Sequence, residues 1–244
     1  MSVSSRPFPH EAPGGPGRQA SHRLDRQAVL GAASALIERD GLAALSMRRL
    51  GRELDVQAMA LYRYVPGREQ LINWVVDLVV DELYADPEVL LVPTGGWQDY
   101  LSRLAYGLRR MALVHPHLFP LVATRPPTAP WVRPPLRSLR WIDSFLAALS
   151  SEGFSDDTAV YAYRAFTSFL LGHLLLEVAA RGVDISPLGG DENIVEQPAD
   201  PLQGYPTLLR LQPELARGDS REEFKQSLAN LMQRLEAAVL GDEH

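Results

Sequence analysis

The sequence predicts an all-helical protein in two parts, a short helix-turn-helix unit followed by a longer helical domain, on three observations. Apolar residues recur at three- and four-residue spacing from residue 25 onward. No alternating apolar–polar run of strand type competes with them. Gly, Pro and Asp-Gly punctuation falls at helix-length intervals.

Residues 1–22, with Pro7, Pro9, Pro13, Gly14, Gly15, Pro16 and Gly17, have little apolar surface to bury and are expected to form a disordered tail. Asp25 is a good N-cap for a first helix whose apolar face is Val29, Ala32, Ala33, Leu36 and Ile37, stopped by Asp40-Gly41. Ser46 caps a short second helix running to about Leu54, and a third extends from about Gln57 to Tyr64, ended by Pro66. Pro66 is then expected in the first turn of a fourth helix carrying Leu71, Ile72, Val75, Val79 and Leu83, which stops near Asp86-Pro87. This bounds a first unit at 23–86. A second, at 95–241, should hold helices over Trp97–His115, Pro134–Glu152, Ser155–Arg181 and Ser220–Leu240, with the acidic, turn-rich stretch Gly182–Gly204 as a loop.

Composition narrows the function. The chain has 244 residues and no cysteine, which removes disulfides, thiolate metal sites and cysteine nucleophiles, and a cytoplasmic location is the simple expectation. The most apolar run, Ala165–Ala180, is interrupted by Ser168, His173 and Glu177, so no bilayer span and no membrane partner are expected. Catalytic signatures such as H-E-x-x-H, G-x-S-x-G or a phosphate-cradling Gly-rich loop are absent, and the chain reads as a non-enzyme. The net charge of -6 is unevenly spread. Residues 1–70 carry ten arginines against seven carboxylates, net +3, while the remainder carries 14 basic against 23 acidic groups, net -9. A basic N-terminal part in an acidic chain is the pattern of a protein whose first unit alone faces phosphate.

The stretch Leu45–Val65, LSMRRLGRELDVQAMALYRYV, concentrates the chemistry. Two short helices bury Met47 or Leu50, Leu54, Val56 and Leu61, leaving small and amphipathic side chains at the start of the second one free to approach base edges in a major groove. Arginines and tyrosine hydroxyls can donate to phosphates. From Leu24 to about Leu83 this run resembles the DNA-binding domain of the TetR (tetracycline-repressor) family: a hydroxyl residue opens helix two, a basic pair follows, then a turn and L-Y-x-[HY]-[FV]. The resemblance implies that Arg48 reaches a base edge and that Ser46 and Arg49 lie near phosphate. Ala58, Met59 and Ala60 would form the base-facing surface, while Tyr62, Arg63, Tyr64 and Arg68 hold the backbone. Gln57 could pair with adenine. Asp55 stands where that family usually has glycine, and the largely apolar base-facing trio leaves the operator sequence unreadable from these residues.

The rest is similar to the C-terminal domain of the tetracycline-repressor branch, carried by HPHLFPLVATRPP at His115–Pro127 and EGFSDDTAVYAYRAFTSFLLGHLLLE at Glu152–Glu177. This implies a repressor that binds a palindromic operator on double-stranded DNA as a homodimer and is released by a small-molecule effector. Activation is the rarer variant within that family. The dimer would form through a four-helix bundle of the last two long helices, using residues such as Leu171, Leu174, Leu175, Val178, Leu228, Leu231, Leu235 and Val239; burial within one subunit would use the same residues. Candidate effector contacts are Leu104, Leu108, Met111, His115, His117, Phe119, Arg125, Trp141, Phe145, Tyr163, Phe166, Phe169 and His173, which suit a core equally well. No metal or cofactor is predicted, because two histidines spaced like His115 and His117 make weak ligands alone. The alternative reading is a dimeric helical interaction module without DNA binding, which salt dependence would separate from a repressor.

Overall fold

A computed structural model of the chain describes residues 24–89, 93–125, 129, 131–134, 138–185 and 204–242. The expected tail at 1–22 and most of the expected loop at Gly182–Gly204 lie outside the described residues. Every described regular element is helical, as the periodicity predicts.

The first unit is compact because its ends are well capped. Helix α1 (Arg26–Asp40) begins where the Asp25 carboxylate accepts the amide of Ala28 at 2.8 Å, and it stops at Gly41, whose φ of 77° a side chain would resist. A 3₁₀ turn (Leu42–Ala44) leads to α2 (Met47–Glu53), where the Ser46 hydroxyl accepts the amide of Arg49. The turn between α2 and α3 (Ala58–Leu61) places Asp55 at φ 52°, the left-handed conformation its sequence position demands; Asp adopts it at less cost than most residues. Helix α3 is shorter than periodicity suggests, since residues 62–64 continue only as a turn. Helix α4 (Arg68–Ala85) starts after Gly67, so Pro66 precedes the helix instead of sitting in its first turn: residues 65–67 are needed to redirect the chain. Val29, Ile37, Leu50, Leu61, Val65, Leu71 and Val75 fill the centre of this unit.

Helices α2 and α3 approach so closely that glycine is required at the crossing. A Cβ at Gly51 would stand 2.8 Å from the Val56 carbonyl and 3.2 Å from the Ala58 amide, both backbone atoms that cannot swing away. Alanine would gain about 0.5–1 kcal/mol of helix propensity but overpack the crossing by about 1–3 kcal/mol. Gly51→Ala should therefore lower the denaturation midpoint and weaken DNA binding together, measured by urea unfolding and duplex titration.

The second unit comprises α5 (Trp97–Val114), α6 (Phe119–Thr124), α7 (Leu139–Ser151), α8 (Asp156–Ala179), α9 (Pro206–Leu215) and α10 (Ser220–Asp242). Helix α7 begins at the Ser138 cap and not at Pro134; the Arg133–Pro134 peptide is cis and residues 135–137 are outside the described set. Helices α6 and α9 were not expected, both being short and carrying in their first two positions a proline, Pro120 and Pro206, that reads locally as a breaker. Helix α8 packs against α5, α6, α7 and α10, forming the axis of this unit. By length and mean hydropathy it is the one described helix that could cross a membrane. Its buried Thr158, Thr167 and Glu177, and the helices around it, are those of a core helix.

A buried charge network ties α5, α8 and α10. Glu177, 3% exposed, accepts both Nε and Nη2 of Arg109 at 3.0 and 2.6 Å and the Ser220 hydroxyl at 2.9 Å. Leu174, Val178, Leu228, Leu231 and Leu235 are buried within the single chain by α8 packing on α10, and Leu171 lines a cavity. Those five face the interior of the chain, while Leu171, Leu175 and Val239 of the expected dimer face are only half-buried. The exposed face of α8 carries Tyr161, Ser168, Gly172 and Leu176 instead.

Candidate DNA interface and effector cavity

The α2–α3 surface is exposed where a groove would need it. Met59 is 74% exposed and Tyr62 47%, large apolar groups facing solvent at the tip of a well-packed unit. Gln57 and Arg63 are also exposed, with Ala58, Ala60 and Tyr64 half-buried between them. Exposed Arg48 has no partner among the described residues, which leaves its five donors available. Arg49 is engaged with Asp40 at 2.6 Å, while Arg39 holds Glu53 at 2.7 Å. Arg68 corrects the expectation placed on it: its Nε and Nη2 donate to the Leu45 and Leu42 carbonyls at 2.9 and 3.1 Å, so it stitches α4 to the turn before α2 instead of facing outward.

A cavity opens between α4 and the second unit. Val76, Val80 and Leu83 come from α4, Leu108 and Met111 from α5, Phe119 and Val122 from α6. Ser138 and Trp141 close it from α7, and Thr167, Leu170 and Leu171 from α8. Its free volume is about 50 Å³. That admits a water-sized group; effector sites hold several hundred.

Of the residues expected to contact an effector, Leu108, Met111, Phe119 and Trp141 line the cavity. Phe145, Tyr163 and Phe166 form an aromatic cluster behind Trp141, with ring centroids 5.2 to 5.9 Å apart. Burial pushes the Tyr163 phenol up to about 12, and its hydroxyl donates to the Pro134 carbonyl at 2.9 Å. Leu104 is core. Phe169 and His173 point the other way, packing on Phe224 of α10 at 5.8 and 5.2 Å. Arg125 is drawn from the cavity by Glu69 at the start of α4, 2.9 Å away.

His115 and His117 serve a junction. His115 Nε2 lies 3.0 Å from Glu82 of α4, and its Nδ1 lies 3.7 Å from Glu38 of α1. The Glu38 carboxylate in turn accepts the backbone amides of His117 and Leu118, at 3.3 and 3.1 Å. Burial raises the Glu38 pKa, opposed by those two hydrogen bonds and the nearby histidines. Helix α6 is thus held at its N-terminal end by α1 and just past its C-terminal end by α4, while Phe119 and Val122 between them face the cavity. Sequence reasoning missed Glu38, Glu82, Ser138 and Thr167. A threonine amid an apolar helix was the one local signal; the carboxylates gave none, since charged residues in helix turns are ordinarily solvated.

Comparison with known proteins agrees with this arrangement. Residues 29–75 match the family described as bacterial regulatory proteins, tetR family, and residues 91–239 match the tetracyclin repressor-like C-terminal domain. An HTH-type transcriptional regulator of Saccharopolyspora erythraea is 29% identical over 161 residues, which cover 66% of this chain and 64% of that one. A possible TetR family transcriptional regulator from Streptomyces coelicolor A3(2) superposes with a TM-score of 0.67 at 32% identity, covering 88% of this chain and all of that one. The Streptomyces coelicolor TetR family protein ActR, in complex with actinorhodin, gives 0.65 at 26% identity over 89% of this chain and 98% of its own. These relatives are regulators of transcription and not enzymes. With a family match over more than half its length, a helix-turn-helix at its N-terminus and a cavity between its two units, the chain belongs to the TetR family of ligand-responsive transcriptional regulators.

Proposed function

We propose that this protein is a cytoplasmic repressor that holds a palindromic operator as a dimer and lets go when a small molecule enters the cavity. The observation that carries this reading is a cavity too small for an effector whose walls include the helix joined to the DNA-binding unit. A molecule larger than the free volume binds only as α4 and α6 move, so its binding free energy favours a displaced state. Helix α6, anchored to Glu38 and Glu69, passes that displacement to α1 and α4.

On the operator, Ala58, Met59 and Ala60 face the major groove with Gln57 and Arg48, while Ser46, Tyr62, Arg63 and Tyr64 meet phosphates, joined by Arg49 once it exchanges its Asp40 partner for one. Selection from random duplexes should enrich a palindrome with half-sites about one helical turn, roughly 34 Å, apart, and log affinity should fall linearly with log salt. No enrichment with salt-indifferent binding would sink the proposal. Arg48→Ala should cost about 1–3 kcal/mol on that operator and relax selectivity at one position of each half-site, read by titration against single-base variants.

Dimerisation uses the exposed face of α8, where Gly172 has open space beside it and Leu176 is 69% exposed. Leu208, Leu209 and Leu215 of α9, and Tyr205 just before it, are likewise uncovered in one chain. Leu176→Asp would bury an unpaired carboxylate in that interface, so the dimer dissociation constant should rise on the order of a hundredfold. Analytical ultracentrifugation checks this, and operator affinity should fall with it.

A further inference from the structure

We infer that the effector is an uncharged, flat, ring-containing molecule carrying one hydroxyl or carbonyl group that hydrogen-bonds the Thr167 hydroxyl. The inference rests on the ligand-responsive reading above and narrows it to a chemical class. No charged side chain lines the cavity among the described residues, so a carboxylate or ammonium entering it would lose its hydration with nothing in exchange. Phe119 and Trp141 stand on separate walls, where ring faces and edges meet a planar molecule at favourable geometry.

Thr167 sets the polar requirement. Two polar side chains line the cavity, Ser138 and Thr167. The Ser138 hydroxyl already has a protein partner, accepting the Trp141 amide at 3.2 Å as the cap of α7, which leaves its O–H still able to donate. Thr167 is 2% exposed, and its hydroxyl oxygen has no hydrogen-bond partner. A helical threonine ordinarily bonds the carbonyl four residues back, and a buried hydroxyl left alone carries an unrecovered desolvation cost. A ligand oxygen beside it removes that cost. The hydroxyl both donates and accepts, so an alcohol, phenol or carbonyl group satisfies it equally. A site with a placed hydroxyl discriminates strongly against the same ring lacking the polar atom.

The test compares 2-naphthol, naphthalene and 2-naphthoate, which share a ring system and differ in polarity and charge. Calorimetric titration into the full-length protein should show 2-naphthol binding at least tenfold more tightly than either of the others. Thr167→Val should weaken 2-naphthol about tenfold while leaving naphthalene unchanged or tighter, and Thr167→Ser should restore the preference. Binding of 2-naphthoate as tight as that of 2-naphthol would overturn the uncharged class. Equal losses for 2-naphthol and naphthalene in Thr167→Val would overturn the role of the hydroxyl. Operator binding is followed in parallel: a protein that holds its selected duplex but takes none of the three compounds overturns the ligand class alone. One that takes 2-naphthol but never holds duplex DNA overturns the repressor reading and leaves the cavity chemistry standing.

Discussion

Glu177→Ala is expected to destabilise the helical domain by about 3–5 kcal/mol, the effect of leaving a buried charge without its partner. Glu177 is 3% exposed and Arg109 14%, and the two share two hydrogen bonds, so neither reaches bulk water when the other is removed. The Ser220 hydroxyl also loses its acceptor, and the Arg181 guanidinium, 3.5 Å away, loses its counter-charge. At roughly 2–4 °C per kcal/mol for a chain of this size, the melting temperature should fall on the order of 10 °C. Removing both charges tests the mechanism. The double variant Arg109→Met with Glu177→Leu should recover most of the loss, because a well-packed apolar pair replaces a buried ion pair at little cost. A single-variant loss under about 1 kcal/mol, or no recovery in the double, would mean that water reaches Arg109 in the folded state.

How much of this was legible in the sequence depended on how local each signal is. The helix-turn-helix was readable because its information lies within short stretches: Asp25 and Ser46 cap, Gly41 stops, Asp55 turns, and the LYRYV run follows at fixed spacing. The cavity was half readable. Phe119 and Trp141 stood out as aromatics, but of its α4 wall only Leu83 lay on the apolar face expected for that helix; Val76 and Val80 stand beside that face, and only the packing of α4 on the second unit leaves a gap there. Phe169 and His173 lie on the same apolar helix as Leu170 and Thr167 but on the side that meets Phe224, a choice of face that periodicity on a helix apolar nearly all round could not make. Helices α6 and α9 escaped because each has a proline within its first two positions and is held by tertiary contacts or left exposed. The Glu38 junction was illegible: its partners lie in other helices, and two of them are backbone amides.

That junction yields the second large expectation. Glu38→Ala should leave the effector able to bind while uncoupling it from the operator. The carboxylate accepts two amides at the entrance to α6, and hydrogen bonds to a charged group contribute about 1.5–3 kcal/mol each, so about 3 kcal/mol of coupling passes through it, on the order of a hundredfold. Coupling is reciprocal: operator DNA should weaken effector binding in the wild type by the same factor by which effector weakens operator binding, and both factors should shrink toward one in Glu38→Ala. Titrating effector with and without operator measures this directly. Fold stability separates coupling from mere support. Burial raises the Glu38 pKa above its ordinary value, so the folded protein takes up this proton more readily than the unfolded chain. The residue's net contribution to stability therefore worsens as pH rises from the ordinary glutamate value through the raised one, and is least favourable at neutral pH. Removing the carboxylate at pH 7 removes a burial penalty along with two hydrogen bonds, and the melting temperature should change far less than in Glu177→Ala. An unchanged coupling factor in Glu38→Ala would assign the signal to α4 alone, through Val76, Val80 and Leu83.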